Sequence, residues 1–196
     1  ALDAAAEQAK TLTKESGGQN TGVKEDGGTR YEIKYDQDNR PFVVVERDIL
    51  AGVPKSDWIN TVKETLKSKF PNGVKIGSNI IKINSQTRRE MTFSEYTKWL
   101  ARNDKSIYSD KFRAADSADE IILASQDYIN EGLKHGRKDN IRDFSRGVVQ
   151  LRIGKADYIA DVVVGTTISG DMLLYDIVNL RKTVIKEKSK HTVQPN

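Results

Sequence analysis

Three apolar-rich segments near the end of the chain constrain its fold more than any other feature. They are RGVVQLRIG (146–154), ADYIADVVVG (156–165) and MLLYDIV (172–178). Each is dense in β-branched and aromatic residues, and only a short turn separates it from the next. Short turns join these segments, so an antiparallel meander is the economical reading. Alternation along the middle segment puts Tyr158, Val162, Val164 and Thr166 on one side, and Asp161, Val163 and Thr167 on the other. The first set is the more apolar and reads as core, which leaves Thr167 on the open face.

Upstream, TRYEIKYD (29–36) alternates Tyr31, Ile33 and Tyr35 with charged residues, as a half-buried strand does. DNRP (38–41) supplies a turn, and FVVVERDIL (42–50) follows as the hairpin partner. Trp58, Val62, Leu66 and Phe70 recur at helical spacing between Pro54 and a PNG stop, predicting a helix over 54–70. VKIG and NIIKIN form a second hairpin around Gly77–Asn79. Helices are predicted over 94–101 and over 110–133. In the longer one Phe112, Ala115, Ala118, Ile121, Ile122, Ser125 and Ile129 trace one face, and Gly132 ends it. The expected class is α+β: N-terminal helices packed on a twisted antiparallel sheet that ends in a three-stranded meander. An Ala-rich helical arm (2–14) and a Gly-rich flexible linker (16–28) make 1–28 an appendage, with the compact domain over 29–196.

The chain contains no cysteine, which removes disulfides, thiolate nucleophiles and cysteine-based zinc sites. No apolar run approaches the roughly 20 residues of a membrane span, and the N-terminus lacks the basic-then-apolar layout of a signal peptide. Charge is mixed over most of the 196 residues, with one exception. Residues 132–155 carry seven Lys and Arg against two Asp, a net +5 where the whole chain carries +4. His135, one of only two histidines, sits inside that stretch. A concentrated cationic patch around one imidazole suits a site that cleaves a polyanion. It equally describes a solvated basic loop.

KFRAADSADEIILAS (111–125), LKHGRKDNIRDFSRG (133–147) and YIADVVVGTTISGDMLLYDIV (158–178) occur in that order. Together they resemble the barnase-like nuclease domains of bacterial polymorphic toxins and large phage proteins, in the barnase, EndoU, colicin and RelE group of ribonucleases. The features that carry the likeness are Asp119–Glu120, Lys134–His135 and the strand ending Leu174–Tyr175–Asp176–Ile177. The resemblance implies helices on one face of an antiparallel sheet, RNA across the other face, and cleavage without a metal or other cofactor. It also implies a tRNA-cleaving toxin paired with a cognate immunity protein. Such a toxin acts in the bacterial cytoplasm and is delivered there, as in contact-dependent growth inhibition, as the C-terminal part of a larger secreted protein. Some relatives also need a host translation elongation factor.

Metal-free RNA cleavage needs a base at the 2′-hydroxyl, an acid at the 5′-oxygen and cations around the phosphorane. His135 is the acid-or-base candidate, with a solvated loop histidine as the plain alternative. Arg146, Arg142 and Arg137 are phosphate-clamp candidates because the guanidinium fork matches phosphate oxygens, and Arg146 is favoured because it enters a strand. Lys134 offers a point charge. Thr166 and Thr167 offer strand-end hydroxyls, or are simply good strand residues. Tyr175 can stack on a base or hydrogen-bond phosphate, and can equally pack in the core. Asp119 and Glu120 are adjacent on a helix, so at most one faces any site. No cluster of carboxylates with metal-ligand spacing and no Gly-rich phosphate loop appears. The leading expectation is a metal-independent endoribonuclease acting on tRNA. The rivals are a non-catalytic module that holds RNA or a protein, and a phage-associated accessory domain that binds a host factor.

Overall fold

The computed structural model describes residues 22–26, 29–132 and 140–187. The described chain opens with β1 (Gly22–Asp26) and β2 (Thr29–Tyr35), which pair antiparallel. The described end of the Gly-rich stretch is therefore a strand. Asp36 then shapes the turn into β3 (Pro41–Val45). Its buried carboxylate accepts the backbone N–H groups of Asp38 (3.0 Å) and Arg40 (2.8 Å). It also accepts Arg40 Nε at 2.9 Å and Gln150 Nε2 at 3.0 Å. Asn39 takes the left-handed φ of 63° that this tight turn demands. The expected β2–β3 hairpin is present.

A 3-10 turn (Lys55–Asp57) leads into α1 (Trp58–Lys69), which buries Val62 and Leu66. β4 (Val74–Ile76) and β5 (Asn79–Lys82) form the expected second hairpin. α2 (Ser85–Phe93) follows, unannounced by hydrophobic periodicity. Asn84 caps it: its side chain accepts from Gln86 N and Thr87 N, while Thr87 Oγ1 accepts from Asn84 N. α3 (Glu95–Asn103) is capped by Ser94 and α4 (Lys105–Arg113) by Asp104.

The helix expected over 110–133 is broken up. α4 ends at Arg113, a 3-10 turn covers Ala114–Ser117, α5 runs only over Ala118–Ala124, and β6 occupies Gln126–Gly132. The switch has a tertiary cause. β6 pairs with the first half of β7 (Ile141–Ile153), and β3 pairs with its second half. Without β6 the backbone of residues 144–148 would have an unpaired edge. Gly132, with φ of 68°, ends a strand and not a helix.

β7, β8 (Ala156–Thr167) and β9 (Met172–Thr183) form the expected antiparallel meander. The sheet runs β1-β2-β3-β7-β8-β9-β5-β4, with β6 also beside β7. It is mostly antiparallel, but β3–β7 and β5–β9 are parallel pairs. The long helical connections between those strands make the parallel pairs possible.

The helices cover one face of the sheet. Leu66, Met91, Leu100, Phe112 and Ile121 pack there against Leu151, Tyr158, Val162, Val164 and Leu174. The other face carries a small cluster of its own: Ile141, Phe144, Val163, Leu173 and Tyr175. The fold is α+β, with helices on a sheet that ends in a meander. Among the described residues, no helix is long and apolar enough to cross a membrane.

Candidate functional site

His135, Lys134 and Arg137 lie outside the described residues, as does His191. The remaining candidates can be placed one by one.

Arg146 stands on β7 on the face opposite the described helices, across from Val163 of β8 and Ile129 of β6. Its Nε donates to Glu131 Oε1 at 2.6 Å and its Nη2 to Glu131 Oε2 at 3.3 Å. The two parallel bonds are the fork-on-fork geometry of a guanidinium with a carboxylate. Its third nitrogen, Nη1, reaches Asp161 Oδ2 at 3.3 Å. Hydrogen bonding to Glu131 is the main cause that raises the Arg146 guanidinium above its ordinary value.

Asp161 is the centre of this arrangement. It is nearly buried in the middle of β8, and three side chains donate to it. Arg146 and Asn179 Nδ2 (2.7 Å) share Oδ2, and Arg181 Nη2 holds Oδ1 at 3.2 Å. The backbone makes this possible. Between Ile159 and Asp161 the β8–β9 register slips, and Asn179 takes a left-handed φ of 54°. The bulge turns Asn179 toward Asp161 and brings Arg181 to the same carboxylate. Asn and Asp tolerate this conformation better than other residues with a Cβ, which accounts for the residue type at 179.

Arg142, at the start of β7, is exposed and donates from Nε to Asp143 Oδ2 at 2.9 Å. Arg152 and Lys155 belong to the other end of the strand. Arg152 is tied to Asp157 and Glu187 and lies over the Phe42 ring. Arg142 and Arg152 are ten residues apart on one strand, roughly 33 Å. The cation-rich sequence is therefore not one patch; only Arg142 and Arg146 share the first half of β7.

Thr166 is half-buried at the end of β8, opposite Asp143 and Met172. Thr167 has a job in the turn. Its Oγ1 accepts Asp171 N at 3.0 Å and lies 2.9 Å from Ser169 Oγ, so the hydroxyl organises the 167–171 loop. Tyr175 is a packed aromatic, edge-on to Phe144 with ring centroids 4.9 Å apart and only 8% exposed. Thr167 thus acts through the turn, and Tyr175 packs within the small apolar cluster. Asp176 is buried among the helices, bound to Lys111 at 2.6 Å, to Ser94 Oγ and to Ile177 N.

Asp119 and Glu120 sit on α5, in the helical layer and across the sheet from Arg146. Burial pushes the Glu120 carboxyl up to about 7, with Asp119 adding repulsion and Lys69 opposing it. Neither acid orients the cations of the open face.

The site that the structure brings together is therefore Arg146, Glu131, Asp161, Asn179 and Arg181, beside Phe144 and Tyr175. Of its polar members, Glu131, Asp161, Asn179 and Arg181 are not candidates in the sequence, although alternation puts Asp161 on the open face. They come from three strands, and a register slip governs their meeting. Among the described residues, no group of three or more His, Asp or Glu side chains is placed to hold a metal ion. Chemically, the arrangement offers two guanidinium groups fixed side by side by one buried carboxylate, with a second carboxylate at hand. No protein-family model, curated protein or solved structure matches the chain.

Proposed function

We propose that the protein is a metal-independent endoribonuclease of the toxin type, acting on tRNA across the face of its sheet opposite the described helices. The observation that carries this reading is the pairing of Arg146 and Arg181 on Asp161. One carboxylate gathers two guanidinium groups on this face, and a phosphodiester that displaces Glu131 from Arg146 meets two forks that match its oxygens.

RNA supplies its own nucleophile, so the protein has only to move protons and stabilise charge. A base takes the 2′-hydroxyl proton, the 2′-oxygen forms its bond to phosphorus, and the bond to the 5′-oxygen breaks. The leaving oxygen is protonated, and the products end in a 2′,3′-cyclic phosphate and a 5′-hydroxyl. Glu131 is the carboxylate in place to take the first proton once phosphate draws Arg146 away from it. His135 is assigned the second step, since an imidazole is the group that titrates near neutrality. Arg142 extends the cationic track along β7, with Lys134 and Arg137 in the neighbouring sequence.

A toxin of this kind calls for an inhibitor in the cell that makes it. The fitting partner is an immunity protein with an acidic surface that covers the two arginines. Action in the bacterial cytoplasm, delivery as the end of a larger secreted protein and help from a translation elongation factor belong to the same reading. One observation favours a non-catalytic module that binds RNA or protein: Arg146 already satisfies two carboxylates, which limits what it can offer a substrate. Cleavage and binding assays on R146A separate the two. Loss of tRNA cleavage with binding largely kept supports the enzyme; tRNA that is bound but never cut by the wild-type protein supports the module.

A further inference from the structure

The open face is not the only place where the structure offers a ligand something to hold. At one end of the sheet the α1–β4 turn, the β4–β5 hairpin and the β8–β9 turn border an open cleft of about 560 Å³. Asn72, Ser78, Asn79, Lys82 and Asp171 line it, and the half-exposed Ile80 offers an apolar surface. The volume lies within the range of sites that enclose a drug-sized molecule.

The chemistry of the lining is specific. Two carboxamides and a hydroxyl can each donate and accept, as the edge of a nucleobase requires. An exposed branched aliphatic beside them can cover a flat ring. Lys82 is the cation; it pairs with Asp171 at 3.0 Å, with both partners about half exposed. An exposed pair of this kind contributes little, so a phosphate can take the place of Asp171 at low cost.

One wall is rigid before any ligand arrives. Thr167 N donates to Asp171 O at 2.8 Å, Gly170 N to Thr167 O at 2.9 Å, and Asp171 N to Thr167 Oγ1 at 3.0 Å. The other wall is equally fixed: a Cβ added at Gly73 would lie 2.5 Å from Ile81 O, so that turn packs directly on β5.

We infer that this cleft is a nucleotide-binding subsite: Asn72 and Asn79 read the base edge, Ile80 covers its face, and Lys82 meets a phosphate. The choice of ligand rests on the ribonuclease reading. The positions agree with it. The cleft begins at Met172, which pairs with Thr166, and Arg146 pairs with Val163 three residues earlier on β8. That separation is roughly 10 Å along the strand, and Lys82 stands a further three strand spacings of about 4.8 Å each across the sheet. An RNA strand held by Arg146 reaches the cleft two or more nucleotides from the one that is cut. The cleft then selects the sequence near the cleavage point.

The test titrates 5′-AMP, 5′-CMP, 5′-GMP and 5′-UMP into the full chain, followed by calorimetry and by side-chain amide NMR. At least one nucleotide is expected to bind saturably and to shift the Asn72 and Asn79 side-chain signals. The N79A and K82M variants should each weaken that binding about fivefold or more, and K98M, on an exposed helix surface outside both sites, should change it less than about twofold. No saturable binding of any of the four overturns the inference, as does binding that R146A removes and N79A and K82M leave intact. Binding in the cleft by a protein that leaves RNA whole would sink the nuclease reading and leave the subsite standing.

Discussion

Lys111 Nζ lies 2.6 Å from Asp176 Oδ1, and both side chains are sealed between α4 and β9. Ser94 Oγ and the Ile177 N–H complete the carboxylate's shell, and the Tyr96 ring lies 5.2 Å from the ammonium. Burial pushes Asp176 up and Lys111 down, each toward its neutral form, and their mutual attraction opposes both. Breaking the pair from one side leaves a buried charge alone. K111M should lose about 3–5 kcal/mol by chemical denaturation, while K111M/D176L should recover most of it. The sign with pH follows from Asp176. Its folded pKa then stands well above the unfolded one, so the penalty grows as pH rises and shrinks as pH falls. K111M should thus be closer to wild type in mild acid than in base.

Glu120 makes a second pH-dependent prediction. Its carboxyl rises from an ordinary 4.5 to about 7, chiefly through burial. The folded state therefore holds this proton more tightly than the unfolded chain does. Ionised Glu120 costs stability, with no penalty below the unfolded value and the full penalty above the folded one. E120Q should match wild type near about pH 4 and exceed it by about 1 kcal/mol near about pH 8, after allowing for solvent screening. Thermal melts across that range would show whether the two curves diverge.

Gly147 is required by a neighbour. A Cβ there would sit 2.8 Å from Tyr128 Cζ, because the ring lies directly over the glycine across the β6–β7 pair. G147A should cost about 1–3 kcal/mol as Tyr128 and β6 are displaced. Removing the ring as well should cancel the clash, so G147A/Y128A should be less destabilised than the sum of the single changes. Simple additivity would mean that the two residues do not oppose each other.

Arg181 and Asp161 should separate binding from positioning. R181A removes one phosphate contact, so the slope of log affinity for RNA against log salt should fall by about 1. D161N keeps both arginines but frees their forks. It should leave that slope unchanged and slow cleavage by about tenfold to a hundredfold through misplacement alone. Equal losses of binding in both variants would reduce Asp161 to a structural residue.

The sheet was largely legible in the sequence because its strands follow a simple rule. Tyr158, Val162 and Val164 alternate inward along β8, and the turns that flank it are short. β6 was not legible, because Ile121, Ser125 and Ile129 recur at helical spacing while pairing with β7 decides the outcome. Ile129 ends up 69% exposed on the open face. α2 escaped notice because SQTRREMTF has almost no apolar periodicity; the cap at Asn84 was the signal that could have revealed it. The open-face network was hidden for a different reason. Asp161 meets Asn179 and Arg181 only because β9 bulges there, and alternation counted along an unbroken strand misses such a meeting.

The most direct test of the account is to incubate the pure protein with bacterial tRNA in EDTA, with and without cell extract, and to identify the RNA ends. Discrete fragments ending in 2′,3′-cyclic phosphate, lost in R146A, are the expected result. Intact tRNA under both conditions, from protein shown to be folded, would contradict the account.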